Sequence, residues 1–139
     1  MAPIDAVLIG AGGRGIHAYG PFAINHPHEL AFTAVADPDP TRREFFAQQH
    51  EIEPDKRFDT WQSLCAQPKL ARAALNCTQD RMHVESTLAL LRAGYDVLLE
   101  KPMATNAADC RLLVEESERL GRTLQVCHVL RYTPFFNTV

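Results

Sequence analysis

The chain has 139 residues, the size of one ordinary domain, and it is 46% hydrophobic and 22% charged, as soluble globular domains are. Its formal net charge of −3 gives no reason to expect nucleic acid or an anionic membrane as a partner, and no apolar run approaches the roughly 20 residues that span a bilayer. Asp5 precedes the first apolar run without any basic residue, which argues against a signal peptide. The 4 cysteines lack CxxC spacing and zinc-type pairing with histidine, so we expect reduced cysteines, no metal site and a cytoplasmic location.

Five apolar segments predict the strands of a sheet. They are nearly continuous in apolar residues rather than alternating, which is typical of parallel strands that are covered on both faces. The segments are residues 4–10, 31–37, 72–78, 95–101 and 123–129, with a weaker candidate at 57–59.

Three of the connecting segments carry helix signals. Asp39 is a good N-cap, and Pro40 follows at the first helical position, where its missing N–H costs nothing. The two later segments combine apolar residues at helical spacing with a glycine at the expected end. Their caps and terminal glycines are predicted to be Asp80 with Gly94, and Thr105 or Asn106 with Gly121.

The alternation of strands and helices predicts an α/β fold with a doubly wound, mainly parallel sheet in a three-layer αβα arrangement. In that fold, ligands bind at the carboxyl ends of the strands, near the point where the strand order reverses. We therefore expect the functional residues directly after each strand.

The first predicted strand is followed by "GAGGRG", which places Gly10, Gly12 and Gly15 in G-x-G-x-x-G spacing. Glycines at these positions allow a tight turn and close approach of a pyrophosphate to free N–H groups at a helix start. The alternative is a glycine turn without a ligand. Arg14 either contacts the phosphates or points to solvent. Pro21 interrupts the following helix, which we expect to kink or to restart with Pro21 in its first turn.

The second predicted strand ends at Asp37, roughly 20 residues after Gly15, where a carboxylate can bind the adenosine ribose hydroxyls of a dinucleotide. A carboxylate there repels a 2′-phosphate, so NAD is favoured over NADP. Arg42 and Arg43 follow and would weaken that preference unless they lie on a solvated helix face. The alternative for Asp37 is a turn residue before Pro38.

Polar residues also follow the third predicted strand. Thr78 and Gln79 are short polar groups suited to lining the path of a cofactor, and His83 lies in the first turn of the next helix. A lone histidine at such a place is either structural or functional, and the residues alone leave both open.

The fourth predicted strand ends in "EKP", Glu100, Lys101 and Pro102. Pro102 restricts Lys101 to an extended conformation, and the Lys–Pro bond can also be cis. A lysine fixed at the rim beside a nicotinamide ring is suited to proton transfer. The alternative is a surface salt bridge between neighbours.

In this order and spacing, "GAGGRG", "VADPDP", "CTQDRMH" and "LLEKP" resemble the Gfo/Idh/MocA oxidoreductases. The resemblance implies an NAD(P)-binding Rossmann domain over residues 1–130. Residues 131–139 would then begin the connection to a second, substrate-binding domain, which in the family often forms the oligomer interface. Because the family takes further catalytic groups from that domain, we expect this chain to be a fragment of a longer enzyme.

The resemblance also implies roles for individual residues. Family members more often have proline where Gln79 stands, which leaves the shape of that loop open. Arg131 lies on the exit toward the second domain and would reach the nicotinamide or the substrate. The pyrophosphate loop would be Gly10, Gly12, Gly13, Arg14 and Gly15; the adenosine ribose ligand Asp37; the cleft lining Thr78, Gln79 and His83; and the nicotinamide end Glu100 with the catalytic Lys101.

The function implied is reversible hydride transfer between NAD, or less favourably NADP, and a secondary alcohol of a sugar or polyol. The isolated domain is expected to bind the dinucleotide and to turn over poorly. Two alternatives are a non-catalytic NAD(P)-sensing or interaction module, and a methyltransferase with a similar glycine loop, against which "EKP" weighs.

Overall fold

Six short segments pair into one all-parallel sheet in the computed structural model, which describes residues 2–136 and 138. The strand order is β3-β2-β1-β4-β5-β6, so the order reverses between β1 and β4. This confirms the predicted doubly wound sheet and the weak strand candidate, which is β3. The strands are β1 Ile4–Ile9, β2 Leu30–Ala36, β3 Arg57–Phe58, β4 Ala73–Asn76, β5 Asp96–Leu99 and β6 Leu124–Val126.

Helices cover the sheet on both sides, as the three-layer prediction requires. Residues of α1 and α2 pack into one core with one face of the sheet, and residues of α3, α4 and α5 pack into a second core with the other face. None of the helices described is long and apolar enough to cross a membrane. The helices are α1 Gly20–Asn25, α2 Pro40–Gln49, α3 Trp61–Cys65, α4 His83–Arg92 and α5 Ala107–Leu120.

The central strand β1 shows why its sequence is apolar on both faces. Val7 and Ile9 belong to one core and Ala6 and Leu8 to the other, and all four are 0% exposed. Each buried Leu or Ile side chain contributes about 1.5–3 kcal/mol to folding. Because both faces of β1 are buried, a charged residue at any of these positions would be removed from water and would destabilise the fold.

Two of the predicted helix caps are confirmed and one is wrong. The Asp39 side chain accepts two backbone N–H groups in the first turn of α2, and Asn106, rather than Thr105, caps α5. Asp80 does not cap α4, because it begins a 3₁₀ turn, Asp80–Met82, and the residue before α4 is Met82, which makes no side-chain cap.

The helix that follows the glycine loop runs without a break over residues 13–25 and accommodates its proline by a change of helix type. It is π-helical over Gly15–Tyr19, and the Gly20 N–H donates to the carbonyl of Gly15, five residues back. Pro21 then lies in the first turn of α1, where no N–H is needed. Pro21 thus lies in a first α-helical turn, as predicted, but the helix continues through this point rather than starting anew.

Candidate functional site

The carboxyl ends of five strands lie in register and form one polar rim. Ala36, Ile9, Asn76, Leu99 and Val126 are aligned across the sheet, and each is the last residue of its strand. Because side chains alternate between faces along a strand, the next residues form a second row aimed at the opposite face. That row is Asp37, Gly10, Cys77, Glu100 and Cys127.

A cleft of about 420 Å³ opens along this rim where β1, β2 and β4 end. Its position beside the reversal of strand order is the place where doubly wound folds bind ligands. Part of the predicted cofactor set lies in its wall, and the rest lies outside it. The predicted residues that line the cleft are Gly10, Gly12, Asp37, Thr78 and Gln79.

The four glycines of the loop differ in the space that surrounds them. Gly10 has a φ of +87°, and a Cβ there would lie 2.5 Å from the carbonyl oxygen of Cys77. A Cβ on Gly15 would lie 2.8 Å from the carbonyl oxygen of Gly10. Around Gly12 and Gly13, by contrast, no atom lies within 4 Å of an added Cβ. The first pair is therefore required by packing, and the second pair leaves space at a helix start where a phosphate fits.

Asp37 is 3% exposed and its carboxylate is already engaged. Its Oδ1 accepts the Asp39 N–H at 2.8 Å and Arg42 Nη2 at 3.0 Å, while Arg43 Nη1 donates to the Asp37 carbonyl at 2.8 Å. Arg42 also lines the cleft, so it does not lie only on a solvated helix face. The buried Asp37 carboxylate and the partly exposed Arg42 guanidinium thus lie side by side at the cleft.

A buried asparagine that the sequence reasoning missed fixes the next wall of the cleft. Asn76 is 0% exposed, and its Nδ2 donates to Ser86 Oγ at 2.8 Å and to Thr87 Oγ1 at 2.9 Å. Its Oδ1 accepts from Thr78 Oγ1 at 2.8 Å. This network ties the end of β4 to α4 and orients Thr78. The signal in the sequence was a polar residue closing an otherwise apolar strand.

Glu100 lies on the α1 side of the sheet and is 5% exposed. Its Oε1 accepts from Arg14 Nε and from the Tyr19 hydroxyl, both at 2.8 Å. Burial by itself raises the pKa of Glu100, but the hydrogen bonds from Arg14 and Tyr19 outweigh it and lower the pKa. Burial, together with hydrogen bonding to Cys127 and Glu100, raises the pKa of Tyr19. The carboxylate is therefore ionised and the phenol is its neutral donor.

Lys101 follows Glu100 and is exposed beyond the cleft wall. Its N–H donates to Glu100 Oε2 at 3.2 Å, and the Lys101–Pro102 bond is cis. His83, by contrast, is 1% exposed, and both ring nitrogens face backbone carbonyl oxygens. Arg131 is exposed in a 3₁₀ turn after β6, Val129–Tyr132.

A group of possible metal ligands lies at the opposite end of the sheet. His26, His28 and Glu29 precede β2, and one ligand atom of each lies within 4.8 Å of the others. The sequence analysis did not single them out. His28 and Glu29 are exposed and the group lies far along β2 from Asp37, so it has no part in the rim described above.

Comparison with known proteins agrees with this geometry. Residues 4–128 match the family model described as the oxidoreductase family with an NAD-binding Rossmann fold. The trans-1,2-dihydrobenzene-1,2-diol dehydrogenase of Macaca fascicularis is 36% identical over 106 residues, which cover 76% of this chain and 31% of that protein. The chain thus spans about a third of the length of such relatives.

Solved structures share the fold at lower identity. The WlbA dehydrogenase from Bordetella pertussis, in complex with NADH and UDP-GlcNAcA, aligns with a TM-score of 0.88 at 22% identity over 99% of this chain and 40% of that one. A 3-ketoreductase from Actinomadura kijaniata, in complex with NADP, aligns with a TM-score of 0.85 at 23% identity over 98% of this chain and 42% of that one. The family match covers most of the chain, so the alternative of a methyltransferase is wrong. The chain belongs to the Gfo/Idh/MocA oxidoreductase family, of which it is an NAD-binding Rossmann domain.

Proposed function

We propose that this chain is the cofactor-binding part of an NAD-dependent dehydrogenase that oxidises a secondary alcohol. The order of the rim residues carries the proposal: Asp37 follows β2, the glycine loop follows β1, Thr78 follows β4 and Lys101 follows β5. Three strand spacings of about 4.8 Å place Asp37 and Lys101 roughly 14 Å apart across the sheet. An extended dinucleotide with its adenosine at Asp37 would bring its nicotinamide to Lys101.

Each end of the rim has its own task in this proposal. The open space at Gly12 and Gly13 receives the pyrophosphate, and the Asp37 carboxylate accepts hydrogen bonds from the ribose hydroxyls. The nicotinamide supplies hydride acceptance when it is bound. Lys101 hydrogen-bonds the reacting oxygen, accepts the hydroxyl proton as the alcohol is oxidised, and returns a proton to the carbonyl oxygen in the reverse direction.

NAD rather than NADP is the proposed cofactor. A buried carboxylate at Asp37 is matched to the free ribose hydroxyls and repels a 2′-phosphate. Arg42 Nη2 lies 3.0 Å from the Asp37 carboxylate and partly offsets its negative charge. The proposed preference for NAD over NADP is therefore a difference in affinity and does not exclude NADP binding.

The proposed substrate is a polyhydroxylated ring, a sugar or a diol. Relatives are named as dehydrogenases of a benzene dihydrodiol, and one similar structure holds UDP-GlcNAcA. We further propose that residues 131–139 lead into a second domain that completes the substrate site and carries the contacts between subunits. Without that domain nothing holds the substrate against the nicotinamide, and positioning supplies much of the rate.

Calorimetric titration of the 139-residue chain tests the proposal. We expect NAD⁺ to bind more tightly than NADP⁺ and turnover of a panel of polyols to be close to background. Failure to bind either dinucleotide would overturn the proposal, and rapid turnover by this chain alone would contradict the need for a second domain. An NAD⁺ complex whose longer parent protein also lacks turnover would favour a sensing module instead.

A further inference from the structure

We infer that Tyr19 and His83 are positioning residues for Lys101, which act from opposite faces of the sheet on the peptide group before Lys101 and on the peptide group after Pro102. The inference deepens the proposed function and rests on it, because only that function places Lys101 at the nicotinamide. The sequence analysis gave Tyr19 no role, and it placed His83 in the cleft lining.

Tyr19 acts from the α1 side, through Glu100. Its hydroxyl donates to Glu100 Oε1 at 2.8 Å, and the other oxygen of the same carboxylate accepts the Lys101 N–H at 3.2 Å. Since Arg14 holds Oε1 from a second direction, the carboxylate is fixed in the plane that receives the Lys101 amide. The peptide group before Lys101 therefore has a defined orientation.

His83 acts from the α4 side, on the peptide group after Pro102. Its Nδ1 lies 2.6 Å from the Pro102 carbonyl oxygen, and its Nε2 lies 3.0 Å from the Thr78 carbonyl oxygen. A ring nitrogen donates to a carbonyl only when it carries a proton, so the proton positions decide which carbonyl the ring holds. The shorter contact marks the Pro102 carbonyl as the main acceptor. The ring is 1% exposed and does not line the cleft.

Both sets of contacts also include a residue of the proposed cofactor site. Arg14, the partner of Tyr19 on Glu100, belongs to the glycine loop, and its side chain is 51% exposed. Thr78, the second contact of His83, lines the cleft. A dinucleotide that binds to the loop and the cleft would therefore stiffen the turn that presents Lys101.

Competitive labelling of lysine amines measures this directly. The chain has Lys56, Lys69 and Lys101, so the first two are internal standards. Labelling rates are measured by mass spectrometry over a range of pH, with and without saturating NAD⁺. In the unaltered chain we expect NAD⁺ to protect Lys101 and to leave Lys56 and Lys69 unchanged.

Variants separate positioning from folding. Tyr19→Phe keeps the ring and removes the hydroxyl, and its control is Tyr132→Phe at a side chain that is 77% exposed. His83→Asn keeps a donor near the Nδ1 position, whereas His83→Gln keeps one near Nε2. We expect Tyr19→Phe and His83→Gln to lower the protection of Lys101 by NAD⁺ about fivefold. His83→Asn is expected to retain the protection seen in the unaltered chain.

The outcomes distinguish failure of the positioning roles from failure of the proposed role of Lys101. If all three variants bind NAD⁺ and protect Lys101 as the unaltered chain does, the inference is wrong and the proposed function stands. If NAD⁺ binds the unaltered chain without protecting Lys101, the inference fails together with the proposed role of Lys101. Circular dichroism checks that each variant is folded. If His83→Gln unfolds, the comparison of Tyr19→Phe with Tyr132→Phe decides the matter.

Discussion

Arg14 and Glu100 are 86 residues apart in the chain, and Arg14 Nε lies 2.8 Å from Glu100 Oε1. The Arg14 side chain is 51% exposed and the Glu100 side chain 7%. One partner belongs to the glycine loop after β1 and the other to the turn after β5, so this contact joins the pyrophosphate loop of the proposed dinucleotide site to its nicotinamide end. A buried carboxylate needs such donors, because an unpaired charge is costly in the interior.

We expect Arg14 and Glu100 to be energetically coupled. In a double-mutant cycle of Arg14→Ala and Glu100→Gln, urea unfolding is predicted to give a coupling free energy of about 1–3 kcal/mol. The exposed pair Lys56 and Asp55, at 2.9 Å, is the control and should give less than about 0.5 kcal/mol. Additive effects of Arg14→Ala and Glu100→Gln would show that the ion pair does not stabilise the fold.

Alanine is predicted to lower stability at one glycine of the loop and NAD⁺ affinity at another. Gly10→Ala forces a Cβ into a positive φ and against the Cys77 carbonyl, so the free energy of unfolding should fall by about 3 kcal/mol. Gly12→Ala meets no protein atom within 4 Å and should leave stability within about 0.5 kcal/mol while weakening NAD⁺ binding about tenfold or more. Urea unfolding and calorimetry measure the two effects. Equal loss of stability in both variants would contradict the assignment of Gly12 to the ligand.

Cofactor preference is predicted to depend on Asp37 and Arg42. Asp37→Ser removes the carboxylate that holds Arg42 Nη2 at 3.0 Å, so the arginine becomes free to meet a 2′-phosphate. Calorimetry should show NAD⁺ affinity falling about tenfold and NADP⁺ affinity rising.

The gain in NADP⁺ affinity has its own check. Adding Arg42→Ala to Asp37→Ser should abolish the gain, whereas adding Arg72→Ala, at a side chain 70% exposed near the start of β4, should not. If NADP⁺ binds Asp37→Ser no better than the unaltered chain, Arg42 does not read the phosphate.

The amino-acid sequence predicts the sheet because its strands are buried on both faces and carry no competing polar pattern. It overextends β5 to Lys101: β5 ends at Leu99, although the Glu100 N–H still donates to the Asn76 carbonyl at 3.0 Å. The Asp80 cap is wrong for a similar reason, because a 3₁₀ turn takes up the residues before α4. Local propensity does not distinguish such a turn from the first turn of a helix.

The candidate site divides in the same way. The glycine loop and Asp37 are predictable because their spacing follows one strand–helix unit. The contact of His83 with the Pro102 carbonyl and that of Tyr19 with Glu100 join segments 19 and 81 residues apart. Such contacts depend on strand order and on the π-helical turn at Gly15–Tyr19, which carries Tyr19. Neither is encoded in the spacing of nearby residues.

The last prediction concerns acid stability and His50. Its ring packs between Phe32 and Phe46, at centroid distances of 5.1 and 4.3 Å, and its buried Nε2 has no hydrogen-bond partner among the described residues. Burial lowers the pKa of His50 below its ordinary value of 6.5. As pH falls below 6.5, His50 binds a proton in the unfolded chain but stays neutral in the folded chain. The contribution of the neutral ring to the free energy of unfolding is therefore complete above pH 6.5 and is lost as pH falls toward the lowered pKa.

Replacing the ring separates this effect from other acid effects. His50→Leu should flatten the decline in unfolding free energy between about pH 7 and pH 5, where one proton accounts for at most about 1.4 kcal/mol per pH unit. His28→Leu, at a side chain that is 75% exposed, is the control and should keep the slope. Glu100 titrates below this window, because its pKa is lowered from 4.5, so its protonation does not imitate the histidine. An unchanged slope in His50→Leu would mean that another group takes up the proton on unfolding.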